Sequence, residues 1–202
     1  MPINALNSKE YLKITYSEQL APYGSYPSQL ANHIYTRFYG SPGRFLDLGC
    51  GRGEYLKAFS DLGLESNGID ISPAALDYDH GFDVKIVNLE EEKLSYEEKF
   101  DFVFSKSVIE HMRNPLSLVK PAYDNLKEGG VAVIMTPSWV HNYKAAFYID
   151  HTHVTPFTKP SLKNMMEMAG FKDVQMYYFY QLPVLWKVPY LSLFSKLISF
   201  LP

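Results

Sequence analysis

Phe45 to Leu56 reads FLDLGCGRGEYL. Phe45, Leu46 and Leu48 form an apolar run of the kind buried in a parallel sheet, and Glu54 to Ser60 then reads as the start of a helix. Between them the backbone has to turn sharply and stay bare. Gly49, Gly51 and Gly53 give that turn access to unusual φ/ψ values and let a ligand lie against the main chain. The spacing is GxGxG, whereas GxGxxG opens a dinucleotide fold and aims a helix N-terminus at a pyrophosphate. Asp47 fits the difference, because a carboxylate beside the turn repels phosphates but can neutralise an ammonium. The stretch therefore suits a nucleoside-bearing ligand that also carries an amino acid group. Cys50, inside the turn, reads as a small residue tolerated there, not as a reactive thiol.

About twenty residues on, Ser66 to Asp70 reads as a second strand ending in a carboxylate, which can accept both hydroxyls of a ribose. Ile71 follows and can lie against a purine ring, while Ser72-Pro73 supplies an N-cap and first residue for a helix. Asp83 to Leu89 is a half-alternating third strand that carries Asn88 near its end. Phe100 to Ser105 is strongly β-prone and runs into Lys106 to Met112. His111 then sits near that strand's C-terminal edge, the side on which open α/β sheets bind ligands. Leu126 to Gly130 reads as a helix stop before a fifth buried strand, Val131 to Pro137. The alternation predicts an α/β fold, a doubly wound, mostly parallel sheet with helices on both faces.

In this order and spacing, residues 44–137 resemble the class I S-adenosylmethionine-dependent methyltransferases. The DLGCGRG turn matches that family's first motif, and Ser107 to His111 matches its small-polar, apolar-pair, Glu-His motif. The resemblance implies a Rossmann-like sheet, S-adenosyl-L-methionine as methyl donor and S-adenosyl-L-homocysteine as product. It assigns Asp47, Gly49, Cys50, Gly51 and Gly53 to the methionine and ribose, Asp70 to the ribose hydroxyls and Ile71 to the adenine, with Leu89 and Ser105 completing the set. Asn88 stands where the family usually has an Asp facing the adenine amine. Its side-chain carbonyl can accept the same hydrogen bond.

The sulfonium of such a donor is already electrophilic, so the protein has to align the acceptor and assist loss of its proton. A histidine with a pKa near neutral suits that role, and His111, His153 and His151 are the candidates. Residues 138–157, rich in His, Tyr and Trp, are too polar and irregular for a buried strand and are expected to form the acceptor-side loop. Asp150 to Phe157, followed by a Ser161-capped helix to Ala169, resembles methyltransferases of sugars and other small hydroxylated molecules, which implies a small-molecule or glycan acceptor. Metal-dependent relatives, including small-RNA 2′-O-methyltransferases, carry Glu-x-x-Glu-His and a later histidine. Here Ser107 replaces the first carboxylate, which weakens a hard-metal site built on Glu110, His111 and His153, and no metal is expected. A binder of the donor without catalysis is the alternative of a different class. A nicotinamide oxidoreductase is opposed by GxGxG and Asp47.

A chain of 202 residues is long enough for one domain with a real core. Its net charge of −3, from 19 basic and 22 acidic side chains, gives no electrostatic pull toward nucleic acid. The single cysteine excludes a disulfide framework and no basic n-region precedes an apolar stretch, so a cytoplasmic protein is expected. Residues 1–40, with six tyrosines between Tyr11 and Tyr39, are expected to form a helical lid, from which Tyr16 or Tyr23 can reach the methionine carboxylate. Residues 41–180 are expected to form the methyltransferase domain, ending in a sixth strand over Phe171 to Tyr180. The apolar segment 181–202 is interrupted by two prolines and two lysines, which spoils a membrane-spanning helix. It is expected to pack on the domain or a second subunit, with Trp186, Tyr190 and Phe194 entering lipid headgroups as the alternative.

Overall fold

The computed structural model describes residues 8–17, 19, 22–78, 81–143 and 147–187. Five parallel strands, β1 (Arg44–Leu48), β2 (Glu65–Asp70), β3 (Asp83–Ile86), β4 (Phe100–Lys106) and β5 (Leu126–Met135), form one sheet in the order β3-β2-β1-β4-β5. β1 pairs with β2 on one side and β4 on the other. The strand order therefore reverses beside β1, and a cleft opens beyond its C-terminal end, where such sheets take ligands.

Period-two alternation sends the residues of β1 to two cores. Leu46 and Leu48 join Ile69 and Val103 under α4 (Leu116–Asp124) and α6 (Lys159–Ala169). Phe45 joins Phe102 and Phe104 under α2 (Tyr26–Ile34) and α3 (Glu54–Ser60). Burial on both faces explains why the strand reads as a nearly continuous apolar run. After α2 the chain makes a wide π turn, Tyr35–Tyr39, which stacks Tyr39 on Phe102 with centroids 4.3 Å apart and ends at Gly40. Further elements are α1 (Ser8–Thr15), α5 (Trp139–Asn142) and α7 (Pro183–Lys187).

Four sequence readings are corrected. Leu126 to Gly130 is strand, not a helix stop, because Asn125 does the stopping. Its amide donates to Pro121 O at 3.1 Å, its Nδ2 donates to the same oxygen at 3.0 Å, and its Oδ1 accepts from the Tyr96 amide at 3.0 Å. Leu126 is thereby released to pair with Phe100, and the register shift before Phe102 takes up the extra residues at Gly129 and Gly130. After Ser72-Pro73 the chain forms only a 3₁₀ turn, Pro73–Tyr78. The N-cap of α6 is Thr158, with Ser161 as the reciprocal member of its capping box. Residues 171–180 form no strand. Phe171, Val174 and Met176 still pack on one core and Phe179 on the other, but a groove lies between this segment and β5, so no ladder forms.

Trp186 on α7 packs against Tyr26, His33 and Phe179, with ring centroids 5.9, 5.0 and 5.1 Å away. Tyr190 and Phe194 lie outside the described residues. Among the described residues, no helix is long and apolar enough to cross a membrane.

Candidate active site

A cavity of about 200 Å³ lies beyond the C-terminal ends of β1 and β2, walled on one side by Ser8, Tyr11 and Leu12 of α1. Gly49 leaves β1 with φ +86°, and its amide and that of Cys50 both donate to Ile69 O, at 2.8 and 2.9 Å. A Cβ on Gly49 would stand 2.3 Å from Cγ2 of Val108. Packing and torsion therefore both require glycine there.

Asp70 closes β2 and ties the turn to it. Its Oδ2 accepts from the Gly51 amide at 2.8 Å and its Oδ1 from the Ser72 amide at 2.7 Å. The Ile71 amide also bonds to this carboxylate, which has about four lone-pair sites, so it can brace the turn and still offer an acceptor to a diol. Asp47 is 2% exposed and lines the same cavity, and its Oδ2 has no hydrogen-bond partner. Burial, and then neighbouring Asp70, push its carboxyl up to about 8. An unpartnered buried carboxylate is costly, and a bound ammonium relieves it. Asn88 holds an Asx turn by accepting from the Glu90 amide at 3.1 Å, and it lines the cavity with Ile71 and Leu89.

Arg52, in the glycine turn, is 4% exposed. It donates from Nη1 to the Tyr16 carbonyl at 2.9 Å, pairs with Glu54 at 3.0 Å and lies 4.4 Å from the Tyr23 ring centroid. The turn thus holds the N-terminal segment against itself.

The histidine side of the cavity is built after β4. Ser107 takes φ +58°, and the 3₁₀ turn Ile109–His111 brings His111 to the cavity wall. Burial, and then His153, push His111 down to about 4, so its ring is neutral at pH 7. Glu110 is fully buried; its Oε2 accepts from the Thr136 hydroxyl at 3.0 Å, and its Oε1 has no partner. Burial pushes its carboxyl up to about 7. His153 places Nδ1 2.7 Å from the Phe147 carbonyl and its ring 4.6 Å from that of His111. A carbonyl only accepts, so His153 donates from Nδ1, and its Nε2 lies 3.9 Å from Glu110 Oε1. Among the described residues, Glu110, His111 and His153 each place a ligand atom within 4.8 Å of the others.

A family model of a methyltransferase domain matches residues 23–176. The chain belongs to that methyltransferase family. Among solved structures, this chain is similar to an S-adenosylmethionine-dependent methyltransferase from Archaeoglobus fulgidus, with 28% identity and a TM-score of 0.68 over 83% of this chain and 77% of that one. Among curated proteins, it is similar to ubiquinone biosynthesis O-methyltransferases from Ruegeria pomeroyi, 32% identical over 46% of this chain and 40% of the relative, and from Idiomarina loihiensis, 27% identical over 65% and 62%. The chain spans about half the length of the curated relatives it matches. The resemblance to class I methyltransferases and the Rossmann-like parallel sheet read from the motifs are both borne out.

Of the donor residues expected from the sequence, Asp47, Gly49, Cys50, Gly51, Asp70, Ile71, Asn88 and Leu89 converge on the cavity. Gly53 instead caps α3 with φ +71°, and Ser105 is buried with its hydroxyl donating to Leu48 O at 2.8 Å. Tyr16 lines the cavity, whereas Tyr23 stacks on Arg52. His111 and His153 are brought together, while His151 is exposed and lies outside the cavity wall. Sequence reading missed Tyr11, Arg52 and Lys106. A lysine ending an apolar strand was the one visible signal, and Lys106 is held below the ordinary lysine range by burial.

Proposed function

We propose that this chain transfers the methyl group of S-adenosylmethionine to a hydroxyl oxygen of a small molecule. The carrying observation is that a single cavity joins Asp47, whose Oδ2 has no hydrogen-bond partner, the strand-end carboxylate of Asp70 and the neutral imidazole of His111. Asp47 would hold the donor's ammonium, Asp70 its ribose, and Ile71, Asn88 and Leu89 its adenine. When bound, the donor supplies a methyl group on a sulfonium sulfur. His111 presents a neutral ring that takes the acceptor's proton as the C–O bond forms and the hydroxyl becomes strongly acidic. The site's low exposure keeps bulk water from competing.

The names of the curated relatives support oxygen as the methylated atom and a small molecule over a glycan. A cytoplasmic location rests on the lone buried Cys50, and contact of residues 181–202 with a membrane or a second copy is a further reading of their apolar sequence. Histidines turned into the core would have favoured a non-catalytic binder; the cavity-lining place of His111 supports catalysis instead.

Calorimetric titration with S-adenosylmethionine, S-adenosylhomocysteine and NAD tests the donor site. Binding of the first two, weakened at least about tenfold in Asp47→Asn, is expected, since a charge-assisted contact is worth roughly 1.5–3 kcal/mol. Preference for NAD, or unchanged affinity in the variant, overturns the assignment. For the base, His111→Gln is expected to abolish transfer of labelled methyl to catechol as probe acceptor.

A metal-assisted form of the same step is the second reading, favoured by the clustered ligand atoms of Glu110, His111 and His153 and the unpartnered Glu110 Oε1. Two imidazoles and a carboxylate suit a first-row transition ion. Calorimetry with Zn²⁺ and Mn²⁺ on chelator-treated protein, against His153→Ala, separates the two.

A further inference from the structure

The hydrogen bonds around His111 determine where its single ring proton sits. Asp150 Oδ2 accepts from the Tyr11 hydroxyl at 2.7 Å, and Oδ1 accepts from the Thr152 amide at 2.9 Å and from the Thr152 hydroxyl. A carboxylate only accepts, so the one proton of the Thr152 hydroxyl points to Asp150. The same hydroxyl oxygen lies 2.8 Å from His111 Nδ1. With its proton committed, it can serve the imidazole only as an acceptor. His111 must then carry its proton on Nδ1 and its lone pair on Nε2. Thr152 is 2% and His111 8% exposed, so bulk water does not compete for either bond.

We propose that Thr152 and Asp150 are positioning residues that lock His111 in the Nδ1–H form with a free lone pair on Nε2, and that Tyr11 of α1 fastens Asp150 from the far side. The proposal rests on the reading of His111 as the proton acceptor. Thr152 is absent from the cavity wall, so it acts through the imidazole and not on a bound molecule. In water a histidine side chain favours the opposite tautomer, so the lock works against the ring's own preference and its loss is visible. Tyr11 also places its ring 5.8 Å from that of His111 and itself lines the cavity. Docking of the N-terminal segment and orientation of the base therefore share one residue.

The test is long-range proton–nitrogen correlation on the full chain labelled with ¹⁵N-histidine, which needs no acceptor. His111→Gln assigns the signals. The expected result is a protonated Nδ1 and an unprotonated Nε2 for His111, a shift of both nitrogens toward the opposite tautomer in Thr152→Val, and a return to the native pattern in Thr152→Ser. Thr152→Ala is measured alongside, and S-adenosylhomocysteine affinity within about twofold of wild type verifies that the variants are folded. An Nε2–H tautomer in the wild-type protein, or an unchanged pattern in both folded variants, overturns the proposal. Because the spectrum reads the lock directly, its failure is distinct from failure of the base assignment, which the His111→Gln transfer assay reads.

Discussion

Gly49 and Asp47 show how much a single residue carries here. Gly49→Ala has to place a Cβ 2.3 Å from Val108 Cγ2 at a φ of +86°. It is expected to destabilise the fold by more than about 2 kcal/mol in urea denaturation. Gly49→Ala combined with Val108→Ala should recover only part of that loss, because trimming Val108 relieves the clash and leaves the torsion. Burial, and then neighbouring Asp70, push the Asp47 carboxyl up from its ordinary 3.8 to about 8. The folded state therefore binds this proton more tightly than the unfolded chain. Its contribution is complete below about pH 4 and is lost as pH rises toward about 8. Glu110, raised to about 7, acts in the same direction. Asp70 is raised by burial as well, and Asp47→Asn removes one of these groups, so its thermal midpoint is expected to fall less than that of wild type between about pH 5 and pH 8. The places of Asp47 and Asp70 on the cavity wall were legible because they follow from a turn and a strand end. Tyr11 was not, because its partner Asp150 is 139 residues away.

At the scale of elements, the apolar runs that became β1, β2 and β4 were readable, and the boundaries set by side-chain contacts were not. Asn125 stops α4 with bonds to Pro121 and Tyr96, and nothing in Leu126 to Gly130 advertises that the following glycines continue a strand with a bulge. Phe171 to Tyr180 has strand composition, but a strand needs a partner edge at hydrogen-bonding distance, and a groove separates it from β5. The start of α6 lies three residues earlier than read, because Thr158 accepts from the Ser161 amide while the Ser161 hydroxyl answers from the first turn. Thr158→Ala is expected to cost about 1 kcal/mol of stability in urea titration. Ser161→Ala, which leaves the Thr158 hydroxyl in place, should cost less.

In the whole molecule, the N-terminal segment and the glycine turn act on each other through Arg52. Its bonds to Tyr16 and Glu54 and its stacking on Tyr23 hold the segment from which Ser8, Tyr11 and Leu12 reach the cavity. Arg52→Ala is expected to speed amide hydrogen exchange in residues 8–17 and to raise the dissociation rate of S-adenosylhomocysteine at least about tenfold. Unchanged exchange in that segment would show that Arg52 is not what holds it.

By itself the sequence determined the parallel α/β sheet, the glycine turn at Gly49 to Gly53 that follows β1 and the carboxylates of Asp47 and Asp70 beside it. Apolar periodicity, glycine spacing and strand-end chemistry act within a few residues of one another and need no knowledge of the rest of the chain. Only the tertiary structure decided which histidines meet, that Ser105 and Gly53 lie outside the cavity wall while Arg52 and Tyr11 line it, and that the Thr152 hydroxyl meets His111 Nδ1. Those outcomes depend on contacts between residues far apart in the chain, where packing and the single proton of a hydroxyl choose among partners that spacing alone leaves equivalent.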